Sequence, residues 1–205
     1  MDSAGSPQRP SPAVGRGSRM RAAVLAATVE ELAAVGYTAL TVERVAQRAG
    51  VHKTTIYRNW QHHDRLVAEA LAGHFADDVP VPDTGSVEGD LRELARSLVA
   101  TLTSPVGRAL LATVLSDAAR VPELAEIKKA FFEDRFRRAV PVVTRAVERG
   151  ELPVDTDPVE LLRTLAAPVH FRLAFTGEPV DEATADRSVR VTLAAARAHA
   201  LSSTD

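Results

Sequence analysis

The sequence predicts an all-α protein of about nine helices: an N-terminal three-helix unit containing a helix-turn-helix, followed by a larger helical C-terminal unit. Three observations carry this. Apolar residues recur at helical spacing from residue 19 to about residue 200, with no convincing strand alternation. Thr, Asp, Pro and Gly stand where helix starts and stops require them. Residues 41–60, TVERVAQRAGVHKTTIYRNW, read as two short helices joined by a tight turn.

The elements follow in order. Residues 1–17 are rich in Ser, Pro and Gly and lack a hydrophobic signal core, which predicts a disordered arm. A first helix spans residues 19–35, with Ala22, Leu25, Val29, Leu32 and Ala33 along one face, and Gly36-Tyr37 closes it. Thr41 caps the second helix, Glu43 suits its positive end, and Val42, Val45, Ala46 and Ala49 form its buried stripe. Gly50 ends that helix where a left-handed residue costs least. Residues 53–60 form the third helix, with Ile56 and Trp60 inward and Lys53, Thr54, Tyr57 and Arg58 outward. That outer face is chemically suited to a major groove. A fourth helix spans residues 64–76.

Residues 80–89, PVPDTGSVEG, read as a linker. Residues 90–103 carry Leu91, Leu94, Leu98 and Leu102 on one face, and Ser104-Pro105 opens the next helix with Pro at its first position. A long helix covers residues 122–149, striped by Ile127, Phe131, Val140, Val143 and Val147, with a kink expected at Pro141 and a stop at Gly150. Asp157-Pro158 starts a helix that runs to Thr176, and Asp181 opens the last one. There is no internal repeat. The resulting division is residues 1–17, 18–78 and 84–202.

Charge separates the two units. The chain has a formal net charge of −2, which alone argues against nucleic acid. Residues 41–65 nevertheless hold five basic residues (Arg44, Arg48, Lys53, Arg58, Arg65) against two acidic ones (Glu43, Asp64). Residues 81–205 hold 16 basic and 19 acidic residues. A basic head on a slightly acidic body is the pattern of a protein that meets DNA with one end. The six histidines have no metal-ligand spacing, and no Gly-rich phosphate loop, GxSxG elbow or cysteine is present. No metal, no cofactor and no enzymatic activity are therefore expected. No apolar run reaches the 18 or so residues of a membrane span, and a cytoplasmic location is expected.

The stretch VEELAAVGYTALTVERVAQRAGVHKTTIYRNWQHHDRLVAEAL resembles the N-terminal domain of tetracycline-repressor (TetR) family regulators. The matching elements are Gly36-Tyr37, Thr41-Val42, Val45-Ala46, Ala49-Gly50-Val51, and Thr55-Ile56-Tyr57 followed by Trp60. They cover roughly residues 18–75. Two positions depart from the family pattern: His52 stands where a small hydroxyl is usual, and His63 where a phosphate-binding lysine is common.

The resemblance implies a homodimeric, effector-controlled DNA-binding regulator, most often a repressor. Lys53, Thr54 and Tyr57 are then expected at base edges. Thr41, Thr55, Arg58, Asn59 and His63 are expected at the DNA backbone, and Arg44 is a further expected DNA-binding residue. For His63 two readings stay open, a phosphate contact or a role within the fourth helix. Arg16, Arg19 and Arg21 either reach flanking DNA or serve a solubilising tail. An effector cavity would be lined by Leu98, Leu102, Leu111, Leu115, Phe131, Phe132, Phe136, His170, Phe171 and Phe175. His170 is the polar handle among them, or else a core histidine satisfied by a backbone carbonyl. The dimer seam would use Leu161, Leu165, Val169 and Leu173 of one helix and Ala185, Val189, Leu193 and Ala196 of the other. The alternative for that helix pair is packing on its own core. The alternatives for the whole chain are a helical DNA-binding protein without effector control, or an enzyme built around the pocket.

Overall fold

The computed structural model describes residues 15–76, 81–117 and 122–203, without the side chains of residues 16, 75, 76, 113–117, 123 and 124. Most of the predicted arm therefore lies outside the described residues. Nine α-helices are present among the described residues: α1 (Arg16–Val35), α2 (Val42–Ala49), α3 (Lys53–Trp60), α4 (His63–Ala76), α5 (Val87–Thr103), α6 (Pro105–Asp117), α7 (Pro122–Glu148), α8 (Pro158–Phe171) and α9 (Glu182–Arg197). A π-helical turn, Arg172–Thr176, continues α8 and ends at Gly177 in the left-handed region. α7 runs unbroken across Pro141.

Local chemistry accounts for the helix ends. Ser86 caps α5 through the Gly89 N–H, so α5 starts three residues earlier than the linker reading predicts. Asp157 accepts the N–H groups of Val159 (2.8 Å) and Glu160 (3.1 Å) at the start of α8, with Pro158 at the first helical position. Asp181 and Thr184 form a reciprocal capping box on α9.

Two apolar clusters organise the packing. The first joins α1 to α4 through Val24, Leu32, Val45, Ile56, Trp60, Leu66 and Val67, and Leu110 of α6 is buried in it. The second joins α5, α7, α8 and α9 through Leu91, Leu94, Val142, Val143, Leu161, Leu165, Val189 and Leu193. Each fully buried Leu contributes roughly 1.5–3 kcal/mol by leaving water. α1 packs on α2, α4 and α6, so its buried arc is wide and rotated from the predicted stripe. Val24, Ala27, Thr28, Glu31 and Leu32 face inward, while Ala22 is exposed.

Close approach fixes the corner between α5 and α6. A Cβ on Gly107 would sit 2.0 Å from the Thr101 carbonyl oxygen, a backbone atom that cannot swing away. The C-terminal segment is pinned at Asp155, which accepts from the Ser202 hydroxyl (2.8 Å) and lies 2.9 Å from His199 Nδ1. These three residue types match a hydrolytic triad in composition only. The serine hydroxyl faces the carboxylate and the His199 carbonyl rather than the imidazole, so the histidine is not placed to take its proton.

Candidate nucleic-acid interface and adjoining cavity

The turn between α2 and α3 is built from backbone bonds. The Thr41 hydroxyl accepts from the Arg44 N–H (3.3 Å) and opens α2. Gly50, at φ 66° and ψ 32°, reverses the chain, and the Val51 N–H returns to the Ala46 carbonyl at 3.0 Å. Ile56 and Trp60 are buried and anchor α3, which turns Lys53, Thr54, Tyr57 and Arg58 outward, Tyr57 being 48% exposed. Thr54 Oγ1 lies 3.2 Å from His52 Nδ1. The Lys53 ammonium is 3.3 Å from Glu43, an exposed pair that a base or phosphate can displace with little loss. Asn59 donates its amide to the Thr55 carbonyl (2.7 Å), and the Thr55 side chain is half-buried. Arg58 is exposed and has no ion-pair partner among the described residues.

Several predicted contacts sit differently. Arg44 turns its Nε to Glu31 (2.8 Å), and Arg48 binds the same carboxylate at 2.7 Å. The Arg44 side chain nevertheless stays 52% exposed. Arg44 and Arg48 together hold the nearly buried Glu31 carboxyl below the usual carboxylate range, Arg44 most strongly and burial opposing them. His63 is the first residue of α4, and its ring packs edge-on to Tyr37 at 5.0 Å. Its Nδ1 faces Asp64 (3.3 Å) and its Nε2 is buried without a partner, so the side chain presents no nitrogen to a phosphate. The expected His63 phosphate contact is therefore replaced by a role inside the fold. Tyr37 donates its hydroxyl to Asp64 (2.6 Å), which lowers the pKa of that carboxyl despite partial burial.

A cavity of about 460 Å³ lies between α4, α5, α7 and α8. Its apolar walls include Leu94, Leu98, Phe131, Phe136 and Leu162, and its charged positions are Arg65 and Glu69 of α4 with Asp134, Arg135 and Arg138 of α7. A smaller chamber of about 90 Å³ adjoins it, sharing Leu98, Phe131 and Phe136 and adding Leu102, Leu111, Phe132 and His170. Seven of the ten predicted lining residues are thus brought together. Leu115 has a side chain outside the described residues. Phe171 and Phe175 are corrected: they stack on each other at 5.5 Å on the outer surface, 57% and 76% exposed. His170 directs Nδ1 to the Ala166 carbonyl at 3.0 Å.

Sequence reasoning did not single out the side chain that joins cavity and interface. Glu69 lines the cavity, and its Oε2 accepts from Trp60 Nε1 of α3 (2.9 Å) and from Arg21 of α1 (2.5 Å). The Arg21 guanidinium also lies over the Trp60 ring at 4.9 Å. Arg21 is therefore committed within the fold rather than to flanking DNA. Only the spacing Trp60–Arg65–Glu69 along one helical junction hinted at this.

The predicted dimer residues are also corrected. Leu161, Leu165, Val169, Ala185, Val189, Leu193 and Ala196 are buried within this chain's own core, and Leu173 packs against it. They cannot meet a second copy without opening that core. The outward face of the same helix pair carries Ala167, Phe171, Phe175, Val191 and Ala194 instead. Among the described residues no cluster of three or more potential ligands for a metal is present, and no helix is long and apolar enough to cross a membrane.

Comparison with known proteins agrees over both units. Residues 24–70 match the family described as "Bacterial regulatory proteins, tetR family", and residues 81–192 match "Tetracyclin repressor-like, C-terminal domain". The chain is 33% identical over 179 residues to the HTH-type transcriptional regulator AqdR of Rhodococcus erythropolis, covering 87% of this chain and 86% of that one. It is 34% identical over 185 residues to the DNA-binding transcriptional repressor TetR of Mycobacteroides abscessus, covering 86% and 93%. Among solved structures, a TetR family transcription regulator superposes with a TM-score of 0.72 at 32% identity, covering 86% of this chain and 97% of the other.

Proposed function

The chain belongs to the TetR family of bacterial transcriptional regulators, which are not enzymes, and from that premise we propose that it is a homodimeric repressor released from its operator by a small molecule. The observation that carries the effector is the position of Glu69. A molecule filling the 460 Å³ cavity must lie against the residue that holds Trp60, the inner anchor of the reading helix. Displacing or recharging Glu69 disturbs α3 and α1 together. A ligand that fits the cavity better when the reading heads are wrongly set for DNA releases the protein by differential affinity alone. The size and apolar lining of the cavity are in the range of small-molecule sites, and they favour effector control over a DNA-binding protein without it.

In this reading residues 18–78 form the DNA-reading head and residues 84–202 the effector and dimer body. Lys53, Thr54 and Tyr57 reach base edges, while Thr41, Thr55, Arg58 and Asn59 position the helix on the backbone, joined by the outer nitrogens of Arg44. The exposed face with Phe171, Phe175 and Val191 pairs two copies, which gives the two-fold symmetry that an operator with two half-sites requires. Work at an operator puts the protein in the cytoplasm.

The test begins with genomic fragments retained by the purified protein, followed by a screen for compounds that raise its thermal midpoint. At least one such compound should weaken operator binding, and Glu69→Ala should reduce that weakening. Compounds that occupy the cavity yet leave operator affinity unchanged would refute effector control.

A further inference from the structure

The smaller chamber has a defined polarity. His170 Nδ1 stands 3.0 Å from the Ala166 carbonyl oxygen. A carbonyl only accepts, so Nδ1 carries the hydrogen. Burial, with the Arg135 charge adding to it, pushes the imidazole below its ordinary pKa, and the backbone bond only partly opposes this. The ring is therefore neutral near pH 7, and Nε2 is a lone-pair acceptor. That nitrogen has no partner among the described residues, it is not among the sealed polar atoms, and its ring lines the chamber with Phe132 edge-on at 5.6 Å.

We propose that the effector presents a weakly acidic hydrogen-bond donor, a phenol-type O–H on a flat apolar body, to His170 Nε2. The proposal rests on the effector reading above and specifies its chemistry. An acceptor nitrogen repels a carboxylate oxygen placed against it. A cationic donor such as an ammonium is opposed by Arg135 and Lys128, which line the same chamber. A neutral hydroxyl on an aromatic ring escapes both penalties. The chamber of about 90 Å³ takes the polar end, and the adjoining 460 Å³ space, walled by Leu98, Phe131 and Phe136, takes the rings. Aromatic walls suit a flat ligand through edge and offset contacts.

Naphthol, methoxynaphthalene and naphthoate separate the possibilities when titrated calorimetrically into the full chain near neutral pH. They share the ring system and differ in offering a donor, a capped oxygen or an anion. Wild type should bind naphthol about tenfold more tightly than its methyl ether, the ratio expected of one well-made hydrogen bond. In His170→Phe and in His170→Leu that ratio should fall to about twofold or less. The ether serves as the control for an intact cavity in each variant. Equal binding of naphthol and ether by wild type, or tighter binding of naphthoate, overturns the donor assignment and leaves the effector cavity standing. Failure of all three to bind overturns the donor assignment, while the effector reading is decided separately by the compound screen and operator assay above.

Discussion

Replacing Glu31 by Gln tests how the first two helices of the reading unit are locked. The Glu31 side chain is 4% exposed, and two guanidiniums converge on it from α2, Arg44 at 2.8 Å and Arg48 at 2.7 Å. Charge-assisted bonds of this kind contribute about 1.5–3 kcal/mol each when shielded. Both arginines are close to half exposed, at 52% and 41%, so water competes and each bond counts for less than that. Gln keeps one acceptor and loses the charge, so Glu31→Gln should cost about 1–2 kcal/mol, or roughly 2–8 °C in thermal midpoint. The pH dependence has a definite sign. The Glu31 pKa is lowered in the folded chain, so its contribution is complete above the unfolded value of about 4.3 and is lost as pH falls through the folded value. Urea midpoints of wild type and variant should differ by a constant amount from about pH 7 to pH 5, and the gap should close below that. A variant as stable as wild type at neutral pH would refute the reasoning, as would a gap equally wide at about pH 3.5.

Three further outcomes are expected. Lys53→Ala should relax base preference at one position per half-site at a cost of about 1–3 kcal/mol, and a selection from random DNA that returns the wild-type preference would remove Lys53 from the reading face. Phe175→Arg combined with Phe171→Ser should shift the protein to monomer in sedimentation while leaving its thermal transition cooperative; an intact dimer would place the interface elsewhere. His63→Lys should change operator affinity evenly across pH at fixed salt, because the histidine ring faces Tyr37 and Asp64; operator-binding curves for wild type and variant that converge at low pH would show that the imidazole does meet a phosphate.

Helix positions were legible because capping and periodicity act locally. Thr41, Gly50, Asp157 and Asp181 each meet partners within a turn of themselves, so their residue types report their geometry. What a helix face meets is not local. Leu161, Val169 and Val189 have the spacing of a buried seam, and spacing alone does not distinguish the chain's own core from a second copy. Phe171 and Phe175 read as cavity wall from the family resemblance, yet Phe171 ends α8 on the outer surface and the π-helical turn carries Phe175 along the same edge. Glu31 and Glu69 were the least legible. A carboxylate in a helix reads as solvated; only the arrival of Arg44 and Arg48 makes burial of Glu31 tolerable, and only Arg21 and Trp60 tie down the half-buried Glu69.

Gly107 sets a rule for anyone who tests the proposed effector site by diversifying its walls. It borders the smaller chamber, so a scheme that randomises every wall position would include it. Any side chain there collides with the Thr101 carbonyl and pushes α6 off α5, and Leu110, three residues on, would be drawn out of the cluster that holds the reading helices. Variants at 107 would then lose operator binding through the fold, and a test of the proposed effector site would mistake that loss for altered specificity. Leu98 and Phe132 line the same chamber from half-buried positions and are the better places at which to test the proposed site.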